Sequence, residues 1–246
     1  MDGPVLALFL FSVFFGGIVS GLAGFAMGLV VSGIWLHILT PAQTAALIVG
    51  YGILVQSYSL WTLRHALKLK AVAPYIAGGA IGVPIGGLLL TSINPDYLRT
   101  GVGVLLVAYG GYFLARPHVH EVRGGVPADF GIGILNGILG GLTGLAGPVI
   151  TIWCQLRGWP KDMQRTVFQP VILAAFVLTA ISLAVAGTIT AELVKLYAMG
   201  LPMLFAGVWL GLKLYGHLND AAFRKVILWL LLLSGAVLIV PLSMIH

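Results

Sequence analysis

Charge is what this sequence has least of. Only 8% of its 246 residues are charged, and the seven acidic ones, Asp2, Asp96, Glu121, Asp129, Asp162, Glu192 and Asp220, all fall in loops or at the ends of hydrophobic runs. No Lys or Arg lies in the middle of a predicted span. An ionisable group inside a membrane segment normally marks a relay or a clamp, so this distribution argues against carboxylate chemistry in the bilayer and against a fixed buried charge as a ligand-holding device. The single cysteine, Cys154, excludes an internal disulfide and offers no metal-ligand cluster, and it reads as a small packed hydrophobe. No cofactor is expected. The start, Met1-Asp2-Gly3, has no basic region of the kind that opens a signal peptide, so it is read as mature sequence.

What is abundant is apolar. With 59% hydrophobic residues and a mean hydropathy of +1.06, a soluble fold could not hide this much apolar surface. The net charge of +6 comes from basic residues scattered through short loops rather than gathered on one face, which excludes a nucleic-acid partner and assigns positive charge to setting orientation. The expected fold is an all-α polytopic membrane protein.

Glycine organises the rest. The first apolar block, Pro4 to Leu39, carries glycine at 16, 17, 21, 24, 28 and 33. Each helix-interior glycine costs about 0.8–1 kcal/mol against alanine in water, so the set must serve close packing or a break, placed here near Gly21 to Gly24. Two arms of about 15 residues would each fall short of a ~30 Å hydrocarbon core, which favours a re-entrant hairpin over one straight span. Thr40-Pro41 then opens a helix from Ala42 to Leu63, followed by the basic loop Arg64, His65, Lys68 and Lys70 and by spans Val72 to Leu90 and Leu98 to Leu114. Glycines 78, 79, 82, 86 and 87 give the former a small-residue surface for close helix contact. Arg116 to Pro127 is the most polar stretch.

The second half repeats this order. Gly141, Leu142 and Gly144 repeat Gly21, Leu22 and Gly24, and Gly158-Trp159-Pro160 echoes Leu39-Thr40-Pro41. Spans follow at about Val167 to Ala186, Val194 to Tyr215 and Lys225 to Leu242. Gly82, Gly86, Asn94, Arg99 and Gly110 recur as Gly207, Gly211, Asn219, Arg224 and Gly235 at a constant spacing of 125 residues. The expected organisation is a first repeat over 1–115, a cytoplasmic linker over 116–127 and a second repeat over 128–246. If each glycine-rich block is a same-side hairpin, only Arg99 and Lys195 of the 13 Lys and Arg residues fall outside, as the positive-inside rule asks. Eight simple spans would divide them almost evenly. Each repeat is then a hairpin plus three transmembrane helices, and an odd number of crossings inverts the second copy relative to the first. In inverted repeats with broken helices, the site lies near the midplane where the breaks meet.

The paired GLAGFAMG and GLTGLAGP segments, the proline-led helices after them, the basic linker and the repeat length together resemble the TauE/SafE sulfite exporter family, also called the 4-toluene sulfonate uptake permease family. The resemblance covers essentially the whole chain. It implies an inner-membrane transporter of sulfite, sulfonates or related small organic anions.

Without a buried charge, an anion would be held by backbone N–H groups at broken-helix ends and by uncharged donors. The candidates are Gly21, Gly24, Gly141 and Gly144 at the breaks, Thr143 at the second tip, Tyr51 and Gln56 on the helix after the first hairpin, and Gln155 and Gln169 in the second half. Ser57 on that same helix and Asn136 in the second half are further candidates, and Phe25 and Trp153 could wall the cavity. Trp35, Trp61, Trp159 and Trp209 read as interfacial anchors. The expected partners are a small anionic substrate and the lipid bilayer, with a homodimer, the coupling ion and the direction of transport left open. Two other function classes compete with transport. A membrane phosphatase acting on a lipid-linked substrate would need an embedded acid or nucleophile with a basic clamp, which the sequence lacks. A membrane scaffold would have no use for two aligned breaks.

Overall fold

A computed structural model of the chain describes residues 3–62, 64–66, 69–90, 95–115, 121–143, 146–185, 187 and 189–239. Among these the regular structure is entirely helical: α1 Gly3–Ala23, α2 Met27–Ile38, α3 Pro41–Thr62, α4 Leu69–Leu90, α5 Pro95–Ala115, α6 Val126–Thr143, α7 Pro148–Leu156, α8 Lys161–Val185, α9 Ala191–His217 and α10 Asp220–Ile239. Five of them, α1, α3, α4, α8 and α9, are long and apolar enough to cross a membrane. The chain is a multi-pass membrane protein.

The first glycine-rich block breaks at Gly24 to Ala26, at the C-terminal end of the expected Gly21 to Gly24 stretch. It yields helices of 21 and 12 residues rather than two equal arms. The reason is that Gly16, Gly17 and Gly21 stay helical and let neighbours approach. A Cβ at Gly21 would lie 2.5 Å from the Val208 carbonyl oxygen, and one at Gly17 would lie 2.9 Å from that of Leu204. Gly24 takes φ +84°, which only glycine adopts freely, and Ala26 follows at φ 73°. A left-handed non-glycine residue costs roughly 1–2 kcal/mol, so the turn is held open by its surroundings. Beyond it α2 folds back antiparallel along α1: a Cβ at Gly16 would meet Val31, and the Trp35 indole N–H donates to Ser12 at 2.6 Å. Trp35 is fully buried, which corrects its reading as an interfacial anchor, whereas Trp61 and Trp209 are exposed as anchors should be. Thr40 and Gln43 then form a reciprocal cap around Pro41, which fixes the start of α3.

The second block behaves alike. α6 has 18 residues and α7 has 9, and α7 returns along α6, with Asn136 Oδ1 accepting from the Ile150 N–H. Its foot is anchored by Asp129, which accepts from Tyr75 at 2.5 Å and Trp153 at 3.0 Å and lies 3.8 Å from Arg157. The stretch before α6 is tied to the turn after α7: the Val122 N–H donates to the Leu156 carbonyl at 2.9 Å, and Arg157 reaches the Gly124 carbonyl at 2.5 Å.

Glycine seams join the two halves crosswise. α1 runs parallel to α9, with Gly17 against Gly207 and Gly21 against Gly211. α6 runs parallel to α4, with Gly137 against Gly79 and Gly82, and Gly141 against Gly86. α5 and α10 cross antiparallel, Gly103 on Gly235 and Gly110 on Leu228. Such close approach suits helices in lipid, where van der Waals packing must replace a hydrophobic drive.

Candidate functional site

The two breaks come together. Phe25, at the first tip, packs on the second tip so closely that a Cβ at Gly147 would lie 3.4 Å from its own Cβ. Between them is a cavity of about 30 Å³, lined by Phe25, Ala26 and Gly28 from the first hairpin, Gly147 and Pro148 from the second, and Gln56 from α3. One water needs about 10–15 Å³ of such space, so the site is narrow here, with room for about two water molecules.

Both short helices point their N-termini at this space. α2 has no side-chain cap, so the N–H groups of its first turn, at Met27, Gly28 and Leu29, lack the partners a helix interior would give them. The partial positive charge there, about half an elementary charge, favours an anion. α7 differs: Pro148 at its first position has no N–H to satisfy, and the Ile150 N–H of its first turn donates to Asn136 Oδ1.

Buried amides surround the first tip. Gln56 Nε2 donates to the Gly24 carbonyl at 2.8 Å, while its Oε1 has no partner. Gln169 is wholly buried, with neither amide atom hydrogen-bonded, and a Cβ at Gly24 would lie 3.1 Å from its Nε2 and 2.8 Å from the Phe168 ring. An unpaired buried amide costs roughly 1–3 kcal/mol, so these groups mark a place where something polar belongs.

Gly24, Phe25, Gln56 and Gln169 therefore meet at the first tip, Phe25 and Gln56 lining the cavity, while Gly21, Tyr51, Gly141 and Gln155 lie elsewhere. Gly21 and Gly141 are packing glycines in the α1–α9 and α4–α6 seams. Tyr51 is buried elsewhere, stacked on Tyr197 at 4.8 Å, its hydroxyl donating to the Leu196 and Tyr197 carbonyls. Gln155 is buried on α7 with both amide atoms unpaired, but it does not line the cavity. Asn136 caps α7, and Ser57 is exposed. Thr143 ends α6, and Gly144 lies outside the described residues.

One residue escapes the sequence reading, and it reverses an expectation. Arg165 is only 2% exposed, so a buried cation does stand beside the site. Its Nη2 donates to the carbonyls of Gly21 at 2.6 Å and Leu22 at 2.5 Å, satisfying two acceptors at the C-terminal end of α1. Its guanidinium lies 3.6 Å above the Tyr215 ring, and its Nε is unpaired. One turn further along α8 comes Gln169. The clue is in the sequence: Pro160 echoes Pro41, and a helix opened there would carry Arg165 inward.

The chain matches the family profile described as "Sulfite exporter TauE/SafE" over residues 9–238. It is also similar to the "Probable sulfite/organosulfonate exporter TauE" of Cupriavidus necator, with 25% identity over 233 residues, covering 89% of this chain and 87% of that relative. No solved structure matches it.

Proposed function

The chain belongs to the TauE/SafE sulfite exporter family and is a multi-pass inner-membrane transporter, not an enzyme; on that premise we propose that it moves sulfite and organic sulfonates by alternating access at the cavity between the two hairpin tips. The observation that carries this reading is the meeting of the two breaks at one small space lined by the uncapped start of α2 and by Gln56, with the unpaired amide of Gln169 against Gly24 and the buried Arg165 one turn before it on α8. The donors suit a tetrahedral or pyramidal oxyanion, whose oxygens accept several hydrogen bonds at once.

The proposed architecture is an inverted pair of repeats with re-entrant hairpins. Adding 125 residues turns Gly103 and Gly110 into Leu228 and Gly235, so the α5–α10 contact maps onto itself when the halves are exchanged. Because those equivalent helices run antiparallel, the exchange axis lies across the helices rather than along them, as inversion requires. The tie between Val122 and Leu156 supports a second hairpin that returns to its own side. Export needs no further coupling in this reading: an inside-negative potential of about 100 mV contributes about 2.3 kcal/mol per monovalent anion, roughly a 50-fold gradient.

Flux into proteoliposomes tests the assignment. Gln169→Leu and Gln56→Leu, purified as folded protein, should lower sulfite and methanesulfonate uptake about tenfold or more, the worth of one hydrogen bond to a charged group. Wild-type flux in both variants would remove the cavity from the pathway.

A further inference from the structure

A second cavity lies beyond the first. It measures about 190 Å³, is lined by apolar groups of α3, α8 and α9, among them Val49, Ala180, Leu183 and Leu193, and opens to the surface at Ile189 and Val194, both more than half exposed. On α8 the two cavities share one face, because Ile172 and Phe176 border the first and Ala180 and Leu183 the second, at spacings of four, four and three residues that stack on one side of a helix. On that face Phe176 falls between the two sets: it borders the first cavity, and its ring is seated on Gly52 so tightly that any side chain at 52 would have to displace it. The far cavity has a fixed wall in Tyr197, which stacks on Tyr51 and donates to the Gly50 carbonyl at 3.2 Å. Phe176 carries no such polar tether.

The volumes assign different jobs to the two spaces. An apolar cavity of about 150 Å³ holds a benzene molecule, so the far one takes a ring or a short alkyl chain, whereas the near one has Gln56 and the bare start of α2 and room for about two water molecules. We propose that the second cavity is a subsite for the apolar body of an organic anion whose charged head sits between the hairpin tips, and that Phe176 on Gly52 is the partition that governs its entry. The head is held by donors around Gln56 and Gln169, and the tail gains by leaving water for a Val, Leu and Ala lining. The inference rests on the transport reading but adds a size and polarity rule to it: tail length, not head chemistry, discriminates among sulfonates.

The test compares methanesulfonate and benzenesulfonate, which share a head and a charge, with sulfite as a third probe, all in proteoliposomes of the purified chain. Ala180→Phe and, separately, Leu183→Phe fill the far cavity and should lower the benzenesulfonate-to-methanesulfonate uptake ratio about tenfold, the scale on which a hydrophobic pocket discriminates by the fit of an apolar group. Phe176→Ala opens the partition and should raise that ratio. A ratio unchanged within about twofold in the folded variants overturns the subsite and makes the cavity a seat for a lipid chain. Wild-type protein that moves sulfite and methanesulfonate but no benzenesulfonate overturns it too, while leaving the transport reading intact. If wild-type protein moves none of the three, the transport reading falls as well.

Discussion

Arg165 carries the largest single consequence of any side chain here. Lys161 to Arg165 look like a basic loop in a linear reading, because polar residues cluster before the apolar run that starts at Val167. In the fold they are the first turns of α8, and the guanidinium is drawn inward by the bare carbonyls at the end of α1 and by the Tyr215 face. Nothing in hydropathy reports that pull, since the partners are backbone atoms 143 and 144 residues away. Arg165→Gln leaves the Gly21 and Leu22 carbonyls buried without a donor. Each hydrogen bond to a charged group contributes about 1.5–3 kcal/mol, so the loss is about 3 kcal/mol or more. For a chain of this size that is a fall of roughly 6–12 °C in the midpoint of thermal unfolding in detergent. Arg165→Lys keeps the charge without the planar fork that serves two carbonyls at once, and it should fall between wild type and the Gln variant. A Gln variant that melts with the wild type would show that the first tip is held by Gln56 alone.

At the scale of elements, glycine content announces both the seams and the breaks, but not which glycine does which. The 125-residue spacing and the small-residue pattern of α4 are legible, and Gly78 and Gly82 do meet α6, while Gly87 faces open space. The expected break spans Gly21 to Gly24 rather than settling on Gly24, because the two are chemically the same in a sequence. Only the partner helix, α9 lying on Gly21, separates a packing glycine from a turning one. This difference predicts two kinds of variant. Gly137→Leu drives a side chain into Gly79 and Gly82 of α4, where a Cβ would already sit 2.8 Å from the Gly79 carbonyl oxygen; it should fail to accumulate as monodisperse protein. Gly131→Ala lies on the same helix with nothing within 4 Å of the added carbon. It should accumulate normally and gain up to about 1 kcal/mol from helix propensity. Comparable expression of the two on size-exclusion chromatography would mean that the α4–α6 seam is not tightly packed.

At the scale of the whole molecule, the question is on which side of the membrane each block comes out. If each glycine-rich block crossed once, eight crossings would carry the stretch before α6 and the turn after α7 to opposite faces, about 30 Å apart across the hydrocarbon. Yet Val122 is hydrogen-bonded to Leu156, Gly124 to Arg157, and Glu121 abuts Gly158. A same-side second hairpin relieves that conflict and agrees with the eleven-to-two division of basic residues between the faces. The two arrangements differ in a measurable way. Counting crossings, Glu121 and Ile189 share a face in the eight-span scheme, but lie on opposite faces if α6 and α7 form a hairpin. Both positions are exposed, so cysteines introduced there report on the surrounding water rather than on packing, once Cys154, which is buried, is replaced by alanine. With an impermeant thiol reagent added to intact cells, Ile189→Cys should label and Glu121→Cys should not. After the inner membrane is opened, both should label. Labelling of both positions from outside, or of neither, places them on one face and requires the second block to cross the bilayer once.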